Sequence, residues 1–225
     1  MSTDLTLLHN GTKKPLIIYA HGFNGFKDWA NFNLIAQQFA EAGFAFVKFN
    51  FSHNGTAPAT PEEFTDLEAF GNNNYSKQLL DLNNVIDWVC DQGKENQNII
   101  DVNNICLIGH SMGGLMMRGA LHYARADGLR WPDVLKQIVF LGTPHHGAPL
   151  ERAGNWIDVI LGSTPYSAPF AKLGQLRSAG ITDLRYGHVL DDDWQGHDRF
   201  RRKPDTRQPL PLPAGVACHT GRLRP

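Results

Sequence analysis

The stretch from Ile105 to Met117, ICLIGHSMGGLMM, limits the possible folds of this chain more than any other segment. A short apolar run leads into Gly-His-Ser-Met-Gly-Gly, and an apolar pattern with helical spacing follows. This order predicts a buried strand, a tight turn and a helix. Side chains at Gly109 and Gly113 would collide across such a turn. The turn would hold the Ser111 hydroxyl clear of the sheet, so Ser111 is a candidate nucleophile.

Apolar strands and amphipathic helices alternate along the chain. Strands are predicted for PLIIYAHGF, FAFVKFNFS, NICLIGHS and LKQIVFLGTP, with a further short strand, GVACHT, near the C-terminus. Helices are predicted for DWANFNLIAQQFAEAGF, with Asp28 as N-cap and Gly43 at C′, for NYSKQLLDLNNVIDWVCDQG and for MGGLMMRGALHYARADG. One face of the second helix is apolar: Leu79, Leu82, Ile86 and Val89. The predicted fold class is α/β, a mostly parallel sheet with helices on both faces.

Length and composition limit the class of protein to which this chain can belong. The chain has 225 residues, of which 42% are hydrophobic, enough for a single domain spanning 1–225. Its net charge of −1 gives no reason to expect a nucleic-acid partner. No apolar run approaches the roughly 18 residues of a membrane span, and the N-terminus lacks the features of a signal peptide. With three scattered cysteines, these features predict a cytoplasmic protein without a membrane partner.

The regular alternation stops between Gly147 and Pro213. This segment contains helical pieces broken by Gly and Pro, followed by a polar stretch that includes DDDWQGHD, interpreted as a solvated acidic loop rather than a metal site. Long insertions in compact folds are commonly functional lids, so residues 147–213 are predicted to form a cap within the domain. Apolar side chains of the segment would suit an acyl chain: Trp156, Ile157, Val159, Ile160, Leu161, Tyr166 and Phe170.

Amino-acid usage changes abruptly near Met117. Residues 1–117 contain 6 Lys, no Arg, 15 Asn and 3 Pro, whereas residues 118–225 contain 3 Lys, 12 Arg, 1 Asn and 10 Pro. Nothing in the physics of a fold requires Asn before this point and Arg after it. Two interpretations stay open: a junction between two homologous genes at a shared motif, or ordinary drift in composition between subregions.

A serine that attacks an acyl group needs hydrogen-bond donors for the oxyanion that forms. The Gly-x-Ser-x-Gly motif assigns one donor to the N–H of the residue after the nucleophile, here Met112. The second comes from the loop after an earlier strand, which in this chain is AHGF. Gly22 would let that backbone turn close to the substrate, and the N–H of Phe23 is the predicted second donor.

Four segments, YAHGFNGF, FNFSHNGT, GHSMGG and FLGTPHHGAP, resemble the α/β-hydrolase superfamily, among its bacterial esterases and lipases. The resemblance covers about residues 15–220, and the two halves resemble different subfamilies, as in a chimera. It implies the α/β-hydrolase fold with a cap after the sixth strand. It also implies hydrolysis of carboxylic esters through an acyl-serine intermediate, without metal or cofactor, and the apolar side chains of the cap predict short to medium acyl chains.

The expected catalytic base is the weak point of this resemblance. In the superfamily an Asp or Glu follows the seventh strand, and a His follows the eighth. GVACHT would be the seventh strand, and the chain ends shortly after it, so the eighth strand is missing. His145 and His219 are equal candidates for the base, with Asp191 to Asp193 as the nearest acidic cluster.

The missing strand leaves the activity open. The chain is either a working esterase with an improvised base, or a folded hydrolase fragment with little activity that could serve as an interaction module. A sheet that ends early also exposes an edge, which predicts a homo-oligomer.

Overall fold

The computed structural model describes residues 1–22, 25–57, 59–95, 99–146, 190, 210–211 and 213–221. The described strands are β1 (Thr3–Thr6), β2 (Lys14–Ala20), β3 (Ala45–Phe49), β4 (Thr56–Ala57), β5 (Thr60–Phe64), β6 (Ile100–His110), β7 (Leu135–Leu141) and β8 (Ala217–Gly221). The described helices are α1 (Phe32–Glu41), α2 (Leu67–Gly71), α3 (Tyr75–Glu95), α4 (Met112–Ala126) and α5 (Trp131–Val134). Most of the predicted cap, 147–213, therefore lies outside the described residues.

Six of these strands form one sheet in the order β1-β3-β2-β6-β7-β8, and β4 pairs with β5 in a separate hairpin. β1 runs antiparallel to β3, while every other neighbouring pair in the large sheet is parallel. This arrangement confirms the predicted α/β fold with a mostly parallel sheet. The loops after β2, β3, β6 and β7 leave from the carboxyl edge of the sheet, where open α/β sheets bind their ligands.

Alternate residues of β2 face different helices. Leu16 and Ile18 pack in the larger core with α3 and α4, whereas Ile17 and Tyr19 face α1. α4 is buried almost continuously over its first ten residues because it lies between the sheet and α3. The predicted apolar face of α3 is confirmed by three fully buried residues: Leu82, Ile86 and Val89.

The start of α1 differs from the prediction. The helix begins at Phe32 with Asn31 at its N-cap, so the expected capping role of Asp28 was wrong. The Asp28 carboxylate instead accepts hydrogen bonds from Lys27 Nζ at 2.5 Å and from Lys48 Nζ. The Lys48 side chain is only 2% exposed. A buried ammonium group requires an anionic partner, and that requirement outweighs one helix cap.

Two β elements were not predicted, namely the short edge strand β1 and the hairpin of β4 and β5. β1 is held by its antiparallel ladder to β3 and by Asp4, which accepts from Lys27 Nζ at 2.7 Å and from Lys48 Nζ at 2.8 Å. Burial tends to raise the pKa of Asp4, but the hydrogen bonds and charges of the two lysines lower it overall. These contacts join residues far apart in sequence, so local pattern does not predict them.

Candidate active site

Ser111 lies at a strained turn between β6 and α4. Its backbone angles, φ 52° and ψ −120°, fall in a region that non-glycine residues rarely adopt. The Ser111 N–H donates to the Leu141 carbonyl at 2.8 Å, and the Gly114 N–H donates to the Ser111 carbonyl at 3.2 Å. Strain of this kind costs about 1–3 kcal/mol and persists only where the surroundings fix it, which is common at functional sites.

Close approach of the backbone explains the glycines around Ser111. A Cβ atom on Gly109 would lie 2.4 Å from the Gly114 Cα, so the predicted collision across the turn is real at this position. A Cβ atom on Gly113 would lie 2.4 Å from the Ala20 carbonyl oxygen. The reason for glycine at 113 is therefore different from the predicted one: α4 starts in contact with the end of β2.

The loop after β2 approaches the serine directly. A Cβ atom on Gly22 would lie 2.9 Å from Ser111 Cβ and 3.0 Å from His110 Nδ1. Only glycine lets the backbone pass this close to the nucleophile, in agreement with the role predicted for Gly22. Phe23, the predicted second oxyanion donor, lies outside the described residues.

Met112, the other predicted oxyanion donor, is the first residue of α4 and is 3% exposed. The first amide groups of a helix have no acceptor within the helix, and the positive end of the helix dipole favours an anion nearby. The Met112 N–H therefore lies beside the nucleophile in a position suited to an oxyanion. Its role there stays a prediction.

The buried side chain of His21 supports the same loop. It is 2% exposed, with Nδ1 2.8 Å from the Gly22 carbonyl oxygen and Nε2 3.5 Å from the Phe51 amide nitrogen. Because a carbonyl only accepts and an amide N–H only donates, Nδ1 carries the proton and Nε2 accepts. Burial lowers the pKa of His21 to about 4. The sequence predicted an oxyanion loop here but gave no role to the His21 side chain.

His145, one of the two candidate bases, is bonded in a way that opposes that role. Its Nδ1 lies 3.0 Å from Arg118 Nη1. Because a guanidinium only donates, Nδ1 accepts, and the proton of the neutral ring is on Nε2. A serine-activating histidine has the reverse arrangement, with Nδ1–H donating to a carboxylate. Burial first, and then the charges of Arg118 and His146, lower the pKa of His145 to about 4.

His219, the other candidate, lies inside a strand rather than at its end. It is exposed and pairs with Val139, whereas Leu141 and Gly221 are the residues level with the end of β6. Its Cα is therefore about 10 Å from β6 across two strand spacings and about 7 Å below the carboxyl edge. Strand pairing with Val139 holds the residue in this position. Neither His145 nor His219 is brought into a base geometry, and both assignments stay predictions.

A polar cluster that sequence reasoning missed lies at the end of β3. Ser52 donates to Asp81 through its N–H at 2.7 Å and its hydroxyl at 2.8 Å, and its Oγ accepts from His53 Nδ1 at 2.7 Å. Burial raises the pKa of Asp81 despite these bonds. Gln78 and Asp81 are buried polar residues one turn apart on α3, and this burial is not visible in the sequence. The cluster ties α3 to the loop after β3.

The structure describes only some of the remaining candidate residues near the site. His110, which precedes the candidate nucleophile, is half-buried, and its ring centroid lies 6.4 Å from that of Phe32 in an edge-on arrangement. The acidic residues Asp191 to Asp193 lie outside the described residues, and so do His188 and His197, two further histidines of the predicted cap. Over the residues that the structure does describe, there is no group of three or more metal-ligating side chains.

Comparison with known proteins agrees with this geometry. The sequence profile of the alpha/beta hydrolase fold matches residues 15–195, which is most of the chain. The chain therefore belongs to the alpha/beta hydrolase fold family. Within the family its relatives include esterases: it is 33% identical over 102 residues to a provisionally named esterase/lipase 2 of Mycoplasma genitalium. It is also 31% identical over 128 residues to an uncharacterized 31.7 kDa Escherichia coli protein from the traX-finO intergenic region.

These relatives are much longer than the matched region. The match spans 45% of this chain and 30% of the Mycoplasma protein, and 57% of this chain and 38% of the Escherichia protein. Among solved structures, an inhibited esterase B from Lactobacillus rhamnosis superposes with a TM-score of 0.50 at 16% identity, covering 84% of this chain and 57% of that one. This likeness shows the shared fold.

No helix in the described ranges is long and apolar enough to cross a membrane.

Proposed function

We propose that the protein hydrolyses carboxylic esters through an acyl-serine intermediate on Ser111. Ser111 Oγ attacks the ester carbonyl, its proton passes to a base, and the alcohol leaves with a proton. Water then attacks the acyl-enzyme and releases the carboxylic acid. The observation that carries the proposal is the strained backbone of Ser111 at φ 52°, since a serine without a chemical role has no need of that conformation.

The surroundings of Ser111 support the same reaction. Gly22 brings the loop after β2 within contact of the serine, and Met112 starts α4 directly beside it. Amide groups from these two elements would stabilise the tetrahedral oxyanion in a partly buried site.

The proposed substrates are small-molecule esters with short to medium acyl chains and little selectivity for the alcohol. The support is the aromatic and aliphatic content of 147–170, including Trp156, Tyr166 and Phe170. No metal or organic cofactor takes part in the proposed reaction. A rate profile over p-nitrophenyl esters from acetate to palmitate tests the chain length, and a preference for phosphoesters or peptides would contradict the proposal.

The test of the reaction is the Ser111→Ala variant. Turnover of p-nitrophenyl butyrate should fall at least about 1,000-fold, because no other group replaces the nucleophile. Ser76→Ala, at an exposed serine on α3, is the matched control and should keep full activity. Equal activity of the Ser111→Ala variant and the unchanged protein would remove the proposal.

A second candidate function is a folded hydrolase domain with little activity that acts as an interaction module. The bonding of His145 to Arg118 and the mid-strand position of His219 favour it. An unchanged protein that turns over no ester in the chain-length series, while still folded, would support this alternative.

We also propose that two copies associate through β8. In the part of the sheet that the structure describes, β8 has a neighbour only on its β7 side, and four of its five residues are exposed. Open N–H and C=O groups on an edge strand favour pairing with a second copy about a two-fold axis. A monomer by light scattering at tens of micromolar would contradict this. The cytoplasmic location predicted from the sequence awaits cell fractionation.

A further inference from the structure

We propose that His21 and Asn54 are positioning residues that hold the loop after β2 against Ser111. The inference rests on the proposed esterase activity, because it concerns the backbone that would bind the oxyanion. It is carried by two carbonyl groups of the loop, those of Gly22 and Gly25, each of which accepts a hydrogen bond from a buried side chain.

The first of these contacts is at the Gly22 carbonyl. It accepts from His21 Nδ1 at 2.8 Å and from the Gly25 N–H at 3.1 Å. Two donors therefore fix the direction of the Gly22 carbonyl and hold the Gly22 backbone in place beside Ser111.

The second contact is at the Gly25 carbonyl. It accepts from Asn54 Nδ2 at 3.1 Å, and Asn54 is 6% exposed. The Asn54 Oδ1 atom accepts from the Thr56 N–H at 3.2 Å and from Thr56 Oγ1 at 2.9 Å. Because the backbone N–H of Thr56 can only donate, the orientation of the amide is fixed and its nitrogen must face Gly25.

The segment after β3 holds the loop at further points. His21 Nε2 accepts from the Phe51 N–H. Further along the loop, the Lys27 N–H donates to Asn50 Oδ1 at 2.6 Å. The loop is thus braced from one side by residues 50–54, and on the other side Gly22 contacts the serine. Loss of the Asn54 bond should leave the fold intact while loosening the amides beside Ser111.

The decisive variant is Asn54→Asp. It keeps the size of the side chain and the Oδ1 acceptor for Thr56, but it replaces the donor with an oxygen that repels the Gly25 carbonyl. We expect kcat for p-nitrophenyl butyrate to fall about 10- to 100-fold, as for loss of oxyanion stabilisation, with KM within about threefold. Asn104→Asp is the matched control: it makes the same change of charge at a half-buried site near the other end of β6, and kcat should stay within twofold.

A readout without substrate separates this inference from the proposed function. The Gly25 amide, bonded to the Gly22 carbonyl, should exchange with solvent at least about tenfold faster in Asn54→Asp than in the unchanged protein or in Asn104→Asp. If Asn54→Asp does not fold, Asn54→Ala is measured, since it removes the bond without adding charge. Unchanged Gly25 exchange, or a rise in KM with kcat intact, would overturn the positioning role. Absence of any ester turnover in the unchanged protein, with the exchange difference present, would count against the function alone.

Discussion

The two sides of the nucleophile strand β6 differ in how fully they are organised for catalysis. On the β2 side, Gly22 contacts Ser111, and the loop is braced by His21 and Asn54. On the β7 side, His145 is bonded to Arg118 and His219 is held in mid-strand. The nucleophile is set by the sterics of one turn and its neighbouring strand. A catalytic base, in contrast, must be placed within hydrogen-bond distance of Ser111 by a loop that is distant in sequence.

The change in amino-acid usage near Met117 separates these two sides. The residues that build the nucleophile turn and its loop precede it, whereas both candidate bases and Arg118 follow it. A junction between two genes would explain a well-formed nucleophile beside poorly placed bases. That interpretation and ordinary compositional drift both stay open, and the following experiments sharpen the contrast between the sides.

The largest effect is expected for Gly113→Ala on the β2 side. The new Cβ would lie 2.4 Å from the Ala20 carbonyl and 2.6 Å from the His21 carbonyl, both of them backbone atoms that cannot move alone. We expect the free energy of unfolding in urea to fall by about 3 kcal/mol or more. Gly71→Ala, where a Cβ would meet nothing within 4 Å, is the control and should be neutral. Equal stability of the two variants would show that α4 is not fixed against β2.

The next effect is the pH dependence of stability that His21 contributes. Burial lowers its pKa from 6.5 to about 4, so between these values the unfolded chain binds a proton that the folded chain does not. Stability should therefore fall as pH decreases through this range, by up to about 1.4 kcal/mol per pH unit and about 3 kcal/mol in total. His21→Gln should flatten the curve measured by urea unfolding, while His9→Gln, at an exposed residue, should not.

On the β7 side the expected effects are smaller. His145→Ala and His219→Ala should each keep kcat within about tenfold, which corresponds to about 1.4 kcal/mol in the barrier, because neither histidine has the bonding of a base. If either variant falls to the level of Ser111→Ala, that histidine is the base and the contrast between the two sides is wrong. If both keep activity, His188→Ala and His197→Ala are the next variants to assay.

The smallest effect concerns the strain stored at the nucleophile. Ser111→Gly should raise the free energy of unfolding by about 1 kcal/mol, since glycine adopts φ 52° without steric cost. Ser111→Ala keeps the Cβ atom and should give no such gain, although both variants lose ester turnover. Equal stability of the Gly and Ala variants would show that the turn is not strained.

The sequence predicted the parts of the molecule that depend on local pattern. The apolar face of α3 was correct, and so was Gly43 at the end of α1, where φ is +94°. The predicted strand, turn and helix around Ser111 were also correct, because a local motif of three glycines and one serine specifies them. The capping role predicted for Asp28 was wrong, and β1 was not predicted. Both depend on ion pairs with Lys48, which lies on a distant strand. The tautomer of His145 likewise depends on Arg118, which no spacing in the sequence indicates.

Fluorophosphonate labelling followed by intact-mass and peptide analysis tests the central claim most directly. It depends on a nucleophile activated by its base and on the oxyanion donors, and it does not require the later hydrolysis of an acyl-enzyme. The account predicts one adduct per chain, located on Ser111, absent from Ser111→Ala and formed more slowly by Asn54→Asp. A folded protein that takes up no label, or that carries it on another residue while Ser111 is unmodified, would contradict the account.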